Sequence, residues 1–197
     1  MDHTHAFFQH PLPGVDTLYS CRKFFGLSDG AYLSTDATLT AGKEQDVSAE
    51  RMEKDAGTYY QKMLDNAATY HHMKILTMSR LTQNLLKAID YEQILQKRNE
   101  NYRLLKELLP SDSPFTRVTP DGPFAYPYYH KNGIALRKAL AKEKIFVPTN
   151  WSNVIRDCAP ESYEYQWAAD ILPLPCDQRY GNEEMQRIAD VIHALEP

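Results

Sequence analysis

The 197-residue sequence predicts a mixed α/β fold, and three observations carry that prediction. Short β-favouring runs lie near the front and again in the last third of the chain. Helical periodicity fills the middle, and an amphipathic helix closes the sequence. Hydrophobic residues make up 43% and charged residues 24%, the balance of a chain with a buried core rather than a disordered one.

The first run, "TLYSCRK" (residues 17–23), is rich in β-branched and aromatic types and predicts a strand. "GLSDG" is turn chemistry, and "AYLST" predicts a second short strand. Residues 36–47 are polar and read as loop. Met52, Ala56, Tyr59, Tyr60, Met63 and Ala67 then recur at helical spacing, with Ser48 placed as a cap. A second helical run carries Ile75, Met78, Leu81, Leu85 and Ile89. A third carries Ile94, Tyr102, Leu105 and Leu109 and ends at Pro110, which cannot donate a helical hydrogen bond.

The texture changes at residues 108–123, where Pro and Ser mark connecting material. "FAYPYYH" (124–130) predicts a strand, "GIALRKALAKEK" (133–144) a helix, and "IFVPTNW" (145–151) another strand. "DILPLPCDQRY" is extended and Pro-punctuated. Met185, Ile188, Ile192 and Leu195 share one face of a final helix. The second half therefore reads as an α+β unit. The first 35 residues read as two or three strands, which cannot cover both faces of a parallel sheet without intervening helices. They either join the α+β unit or are completed by another polypeptide.

A net charge of −4 argues against a general nucleic-acid or anionic-membrane surface. No apolar run is long enough to span a bilayer. "MDHTHAFFQHPLPG" lacks the basic and apolar regions of a secretion signal. Three widely spaced cysteines, Cys21, Cys158 and Cys176, make neither a disulfide framework nor a zinc site, and a reducing cytoplasm is the expected compartment.

The chemistry-bearing stretch is "YSCRKFFGLSDGAYL". Ser20 and Lys23 form S-x-x-K between a strand and a Gly-rich turn. A lysine amine partly desolvated at a strand end can condense with a carbonyl. A serine beside it can donate its hydroxyl to a phosphate. Arg22 either adds charge for that phosphate or faces solvent. Asp2 lies upstream in "DHTHAFF", and pyridoxal phosphate (PLP) enzymes need a carboxylate against the pyridine nitrogen. His5 is placed to hydrogen-bond or pack on the same ring. The alternative reading is a surface lysine, a turn serine and a free N-terminus.

Taken in order, "DHTHAFF", "YSCRKFFGLSDGAYL", "MSRLTQNLLKAIDYEQILQKRNENYRLL" and "LPLPCDQRYGNEEMQRIADVI" resemble the DegT/DnrJ/StrS family of fold-type-I PLP-dependent aminotransferases. Many members act on nucleotide-linked keto-sugars. The resemblance implies that Lys23 carries the cofactor as a Schiff base, that Asp2 partners the pyridinium, that Ser20 touches the phosphate and that His5 lies beside the ring. It implies a small-molecule amino donor and a keto acceptor as substrates. The family commonly places more residues between serine and lysine; the S-x-x-K spacing here is that of other fold-type-I enzymes. Family members also carry a long portion ahead of the Asp2 position, including the phosphate loop and most of the large-domain sheet.

The implied fold is thus α/β, a partial fold-type-I transferase. Residues 1–47 correspond to a remnant of the PLP-binding large domain, 48–109 to connecting helices and 110–197 to a C-terminal α+β small domain. The implied assembly is a homodimer, or a complex with a chain that supplies the N-terminal half. The rival is a non-catalytic remnant serving as a binding or dimerisation module. A start upstream of Met1 is a further expectation.

Other residues carry weaker readings. His3, His5 and His10, or His71 and His72, suggest a metal only by proximity, and adjacent helical histidines point apart; no metal is expected. Cys21 beside Arg22 and Lys23 reads as a buried cysteine rather than a nucleophile. Trp151, Tyr163, Tyr165 and Trp167 read as core or subunit-interface packing before a ligand patch. Arg179 in "DQRY" reads as a brace for the small domain before a substrate ligand.

Overall fold

The computed structural model describes residues 1–39, 65, 68–70, 74–110 and 114–195. The expected helix through Met52–Ala67, its Ser48 cap, most of the 36–47 loop and the His71–His72 pair lie largely or wholly outside the described residues. The described part is mixed α/β, with helices and two small antiparallel sheets. The chain divides into two compact units, Met1–Tyr91 and Glu92–Pro197.

In the first unit, β1 (Thr17–Ser20) pairs antiparallel with β2 (Ala31–Ser34), with Leu18 opposite Leu33 and Ser20 opposite Ala31. The N-terminal residues run parallel along the other edge of β1. Asp2 bridges Leu18, the His3 N–H donates to the Leu18 carbonyl at 2.8 Å, and the Leu18 N–H donates to the Met1 carbonyl at 3.0 Å. The two or three strands expected at the front are present in this form.

The strand expected through Lys23 stops at Ser20. The Cys21 N–H turns to the Gly30 carbonyl at 3.1 Å, and the Phe24 and Phe25 N–H groups both return to the Cys21 carbonyl. Arg22–Phe25 is therefore a single helical turn, α1, ended by Gly26 in the left-handed region at φ +59°. Helical spacing sends Phe24 inward and Lys23 outward. Around it, Cys21, Leu27 and Leu86 form a core flanked by Phe7, Phe25, Met78 and Ile89. Phe7 also stacks on Tyr91 with 10° between the rings.

The second helical run begins later than its periodicity suggested. Helix α2 is Arg80–Lys87, because the Ser79 side chain accepts from the Thr82 N–H and caps it. Ile75 falls outside the helix and is 90% exposed.

Helix α3 (Tyr91–Leu108) begins at the last residue of the first unit, and its body belongs to the second. It stops before Pro110 as expected. The stretch 92–109, expected among the connecting helices, packs into the C-terminal unit. Tyr102, Leu105 and Leu109 join Tyr126, Leu172 and Leu174 in one core. Strand β3 (Ala125–Tyr129) pairs antiparallel with β4 (Ile171–Pro175). Pro127 faces Pro173 and Ala125 faces Pro175. Proline has no N–H, so these are the non-hydrogen-bonded pairs of the ladder, which a two-stranded sheet tolerates.

Helix α4 (Gly133–Lys142) follows β3, and helix α7 (Asn182–Leu195) closes the unit with Met185, Ile188 and Ile192 buried. Between them the expected strand at 145–151 is not formed. Ile145 and Val147 are buried, but the segment pairs with no strand and Pro148 cannot donate. Two short helices follow, α5 (Ser152–Asp157) and α6 (Tyr163–Asp170). Among the described residues no helix is long and apolar enough to cross a membrane.

Candidate functional site

The candidate site lies in the first unit, where the parallel N-terminal residues, β1 and α1 meet. Bridge partners share a sheet face, so Asp2 lies on the same face as Leu18, and Ser20, two residues on, lies there too. His3 alternates to the opposite face, where its ring meets Tyr19 edge-on at 5.2 Å. Its Nδ1 is buried without a hydrogen-bond partner. One short parallel pairing thus brings the predicted carboxylate alongside the strand that leads to the predicted serine and lysine.

Asp2 is exposed and ionised. The Thr4 hydroxyl and the Thr4 N–H, the latter at 2.8 Å from Oδ1, hold its carboxyl below the ordinary carboxylate range. His5 feels both neighbours: burial and the positive charge of Lys23 lower its pKa, while Asp2 pulls the other way. The net shift favours the neutral imidazole. His5 thus responds electrostatically to both Asp2 and Lys23, which are far apart in the sequence.

Two expectations about this stretch change. Lys23 is exposed rather than partly desolvated, because it occupies the outward position of α1 instead of a strand end. Arg22 is half-buried rather than facing open solvent, and its guanidinium lies 5.0 Å from the centre of the Tyr70 ring. Tyr70 in turn donates to the Ser28 carbonyl at 2.6 Å. Cys21 is fully buried, and burial pushes its thiol up to about 11, so it is no thiolate nucleophile at neutral pH.

Sequence reasoning passed over Asp29. It reads as turn chemistry in "GLSDG", yet it is only 2% exposed. Its carboxylate accepts from the Ser79 N–H at 2.7 Å, the Ser79 hydroxyl at 3.0 Å and the Thr82 hydroxyl. No local signal pairs Asp29 with residues 50 positions away.

In the second unit, Arg179 makes a bidentate pair with Asp177, Nε to Oδ1 at 2.8 Å and Nη2 to Oδ2 at 2.9 Å. Most of its side chain is exposed, so this is a local clasp within the loop. The bracing of that loop falls to α3. Asn101 donates to the Asp177 and Tyr180 carbonyls at 3.1 and 3.0 Å, and Arg98 to Gln178 Oε1 at 2.8 Å. Trp151, Tyr163 and Trp167 are not core residues. They are 66%, 75% and 50% exposed, and Trp167 meets the half-exposed Phe115 ring edge-on.

Among the described residues no group of three His, Cys, Asp or Glu side chains is arranged to hold a metal. No protein-family model matches this chain, and no curated protein matches it.

Proposed function

We propose that the chain is the lysine-bearing portion of a PLP-dependent aminotransferase acting on a keto substrate. The observation that supports this reading is the placement of Asp2 beside β1, so that Asp2, His5 and Lys23 share one electrostatic neighbourhood with Ser20 between them in sequence. Those are the residue types that PLP requires: an amine for the aldehyde, an acid for the ring nitrogen and a hydroxyl for the phosphate. An exposed Lys23 can meet a cofactor arriving from solution. An ionised Asp2 can accept a hydrogen bond from a protonated pyridine nitrogen. When bound, the cofactor supplies an exchangeable aldehyde and an electron-withdrawing ring, and the Lys23 amine moves the substrate Cα proton.

The rest of the site is proposed to come from a second polypeptide, either another copy or a chain carrying the N-terminal half. The exposed Leu18–Leu33 pair on the Asp2 face of the sheet, at 45% and 46% exposure, favours such a cover. So does the outer edge of β2, with which no described residue pairs. A cytoplasmic location belongs to the same proposal.

The test is to mix the chain with PLP, alone and with a co-encoded N-terminal partner, and to record the visible spectrum. A visible band that Lys23→Ala abolishes, with a phosphopyridoxyl mass on Lys23 after borohydride reduction, supports the reading. No band and no Lys23 adduct under either condition overturns it. The exposed Trp151, Tyr163, Trp167 and Phe115 favour a second reading, a non-catalytic association module. That reading predicts self-association without PLP, seen as a dimer by sedimentation that Trp167→Ser disperses.

A further inference from the structure

We propose that Asp29 is a positioning residue for Lys23, locking the loop that carries the lysine turn onto the N-terminal end of α2. The inference rests on Lys23 being the reactive amine of the site. Loop 21–30 joins β1 to β2, and its ends are tied by the Cys21 N–H to the Gly30 carbonyl. Within it the turn exposes Lys23 and Gly26 and buries Phe24 and Leu27, so the amine's place depends on how the loop is seated.

Asp29 does the seating. Oδ2 accepts from the Ser79 N–H, and Oδ1 accepts from the Ser79 and Thr82 hydroxyls and, at 3.3 Å, from Ser28. Neither oxygen is spare. The contact is also close: a Cβ at Gly30 would lie 2.9 Å from Thr82 Cγ2, and Gly30 holds φ at +107°. Ser28, next to Asp29, is held from another side by Tyr70, which also carries Arg22 of the lysine turn. The donors to Asp29 are neutral N–H and hydroxyl groups at the N-terminal end of α2. An asparagine of the same shape would set an NH2 group against at least one of these donors. Asp29→Asn therefore frees the loop with minimal change in volume.

His5 supplies a readout that a purely structural brace would not move. Burial and the Lys23 charge depress its titration and Asp2 opposes them, so its midpoint records how near Lys23 is held. The experiment follows the His5 ring by NMR across pH in the full chain without cofactor. The variants are Lys23→Met, Asp29→Asn and Thr82→Val, which keeps Asp29 and removes one donor. Lys23→Met raises the His5 midpoint and sets the full scale. Asp29→Asn recovers a substantial part of that rise, and Thr82→Val a smaller part.

An unchanged His5 midpoint in folded Asp29→Asn overturns the proposal. Where Asp29→Asn does not fold, an unchanged midpoint in Thr82→Val overturns it. So does a Lys23→Met variant that leaves His5 unmoved. Because no cofactor is present, failure here is distinct from failure of the PLP trapping experiment.

Discussion

Lys144 holds left-handed backbone at φ +62° directly after α4, where its N–H donates to the Ala141 carbonyl and the next N–H, of Ile145, to Leu140. This is a helix C-terminal turn that glycine fills at no steric cost. A side chain there costs about 1–2 kcal/mol, and glycine returns part of that gain as unfolded-chain entropy. Lys144→Gly should stabilise the chain by roughly 0.5–1 kcal/mol, read from the denaturant midpoint. A loss of stability would mean that the lysine stem contributes packing that its exposure does not suggest. Asp177 makes a pH-dependent prediction. Burial would raise its carboxyl, but the hydrogen bonds from Arg179 outweigh burial and hold it below the ordinary range. A depressed folded pKa means stability that is present above the unfolded value, about 3.9, and is lost as pH falls through the folded one. Asp177→Asn should therefore destabilise at pH 7 and converge on the parent in strong acid, measured as melting temperature against pH. At this scale the sequence exposes Asp2, Ser20 and Lys23, because their chemistry is encoded in type and spacing. It hides Asp29, Arg98 and Asn101, whose partners arrive only through long-range packing.

Elements were legible where one periodicity dominates. Strands β1, β2 and β3 and helices α3, α4 and α7 follow from alternation or from a sustained apolar stripe, whereas the sequence of β4 reads only as extended and Pro-punctuated. The segment 145–151 misleads because Ile145 and Val147 alternate as in a strand, yet their burial comes from packing into the core rather than from a ladder. Helices α5 and α6 escape notice because they are short and α5 buries no residue. A packing constraint between elements is testable at Gly133, the first residue of α4. A Cβ there would meet the Ala169 carbonyl oxygen at 2.4 Å and Asp170 Cα at 2.6 Å, backbone atoms where α6 passes into β4. Neither obstacle can rotate away. Gly133→Ala should therefore cost about 1–3 kcal/mol by overpacking, seen as a lower melting temperature. Substitution at Gly181, whose nearest neighbour is the end of the Glu184 side chain at 3.5 Å, is the control that should change little.

For the whole molecule the division into two units has an energetic consequence. The second unit buries residues from α3, β3, α4, β4 and α7 in one cluster, with Leu105, Leu140, Leu172, Leu174, Met185 and Ile192 fully covered. The described core of the first unit gathers around Cys21, Leu27 and Leu86, and its sheet leaves Leu18 and Leu33 exposed. Burial of apolar area is the main stabilising term, at about 25 cal/mol per Å², so the second unit should be the more resistant of the two. Two cores of unequal size in one chain need not unfold together. The tryptophans separate them without labels: the chain has two, Trp151 and Trp167, and both lie in the second unit. Trp167 is half-exposed against Phe115, so its emission changes when that contact is lost. Denaturation followed by tryptophan fluorescence should therefore give a single late transition, whereas far-UV circular dichroism should begin to fall at lower denaturant as the first unit opens. Adding PLP, on the proposed function, should move only the early phase, since ligand binding stabilises the unit that holds the site. Coincident curves from the two probes would mean that the units unfold as one body, and that the sheet around Asp2 and Lys23 is more stable than the described core of the first unit accounts for.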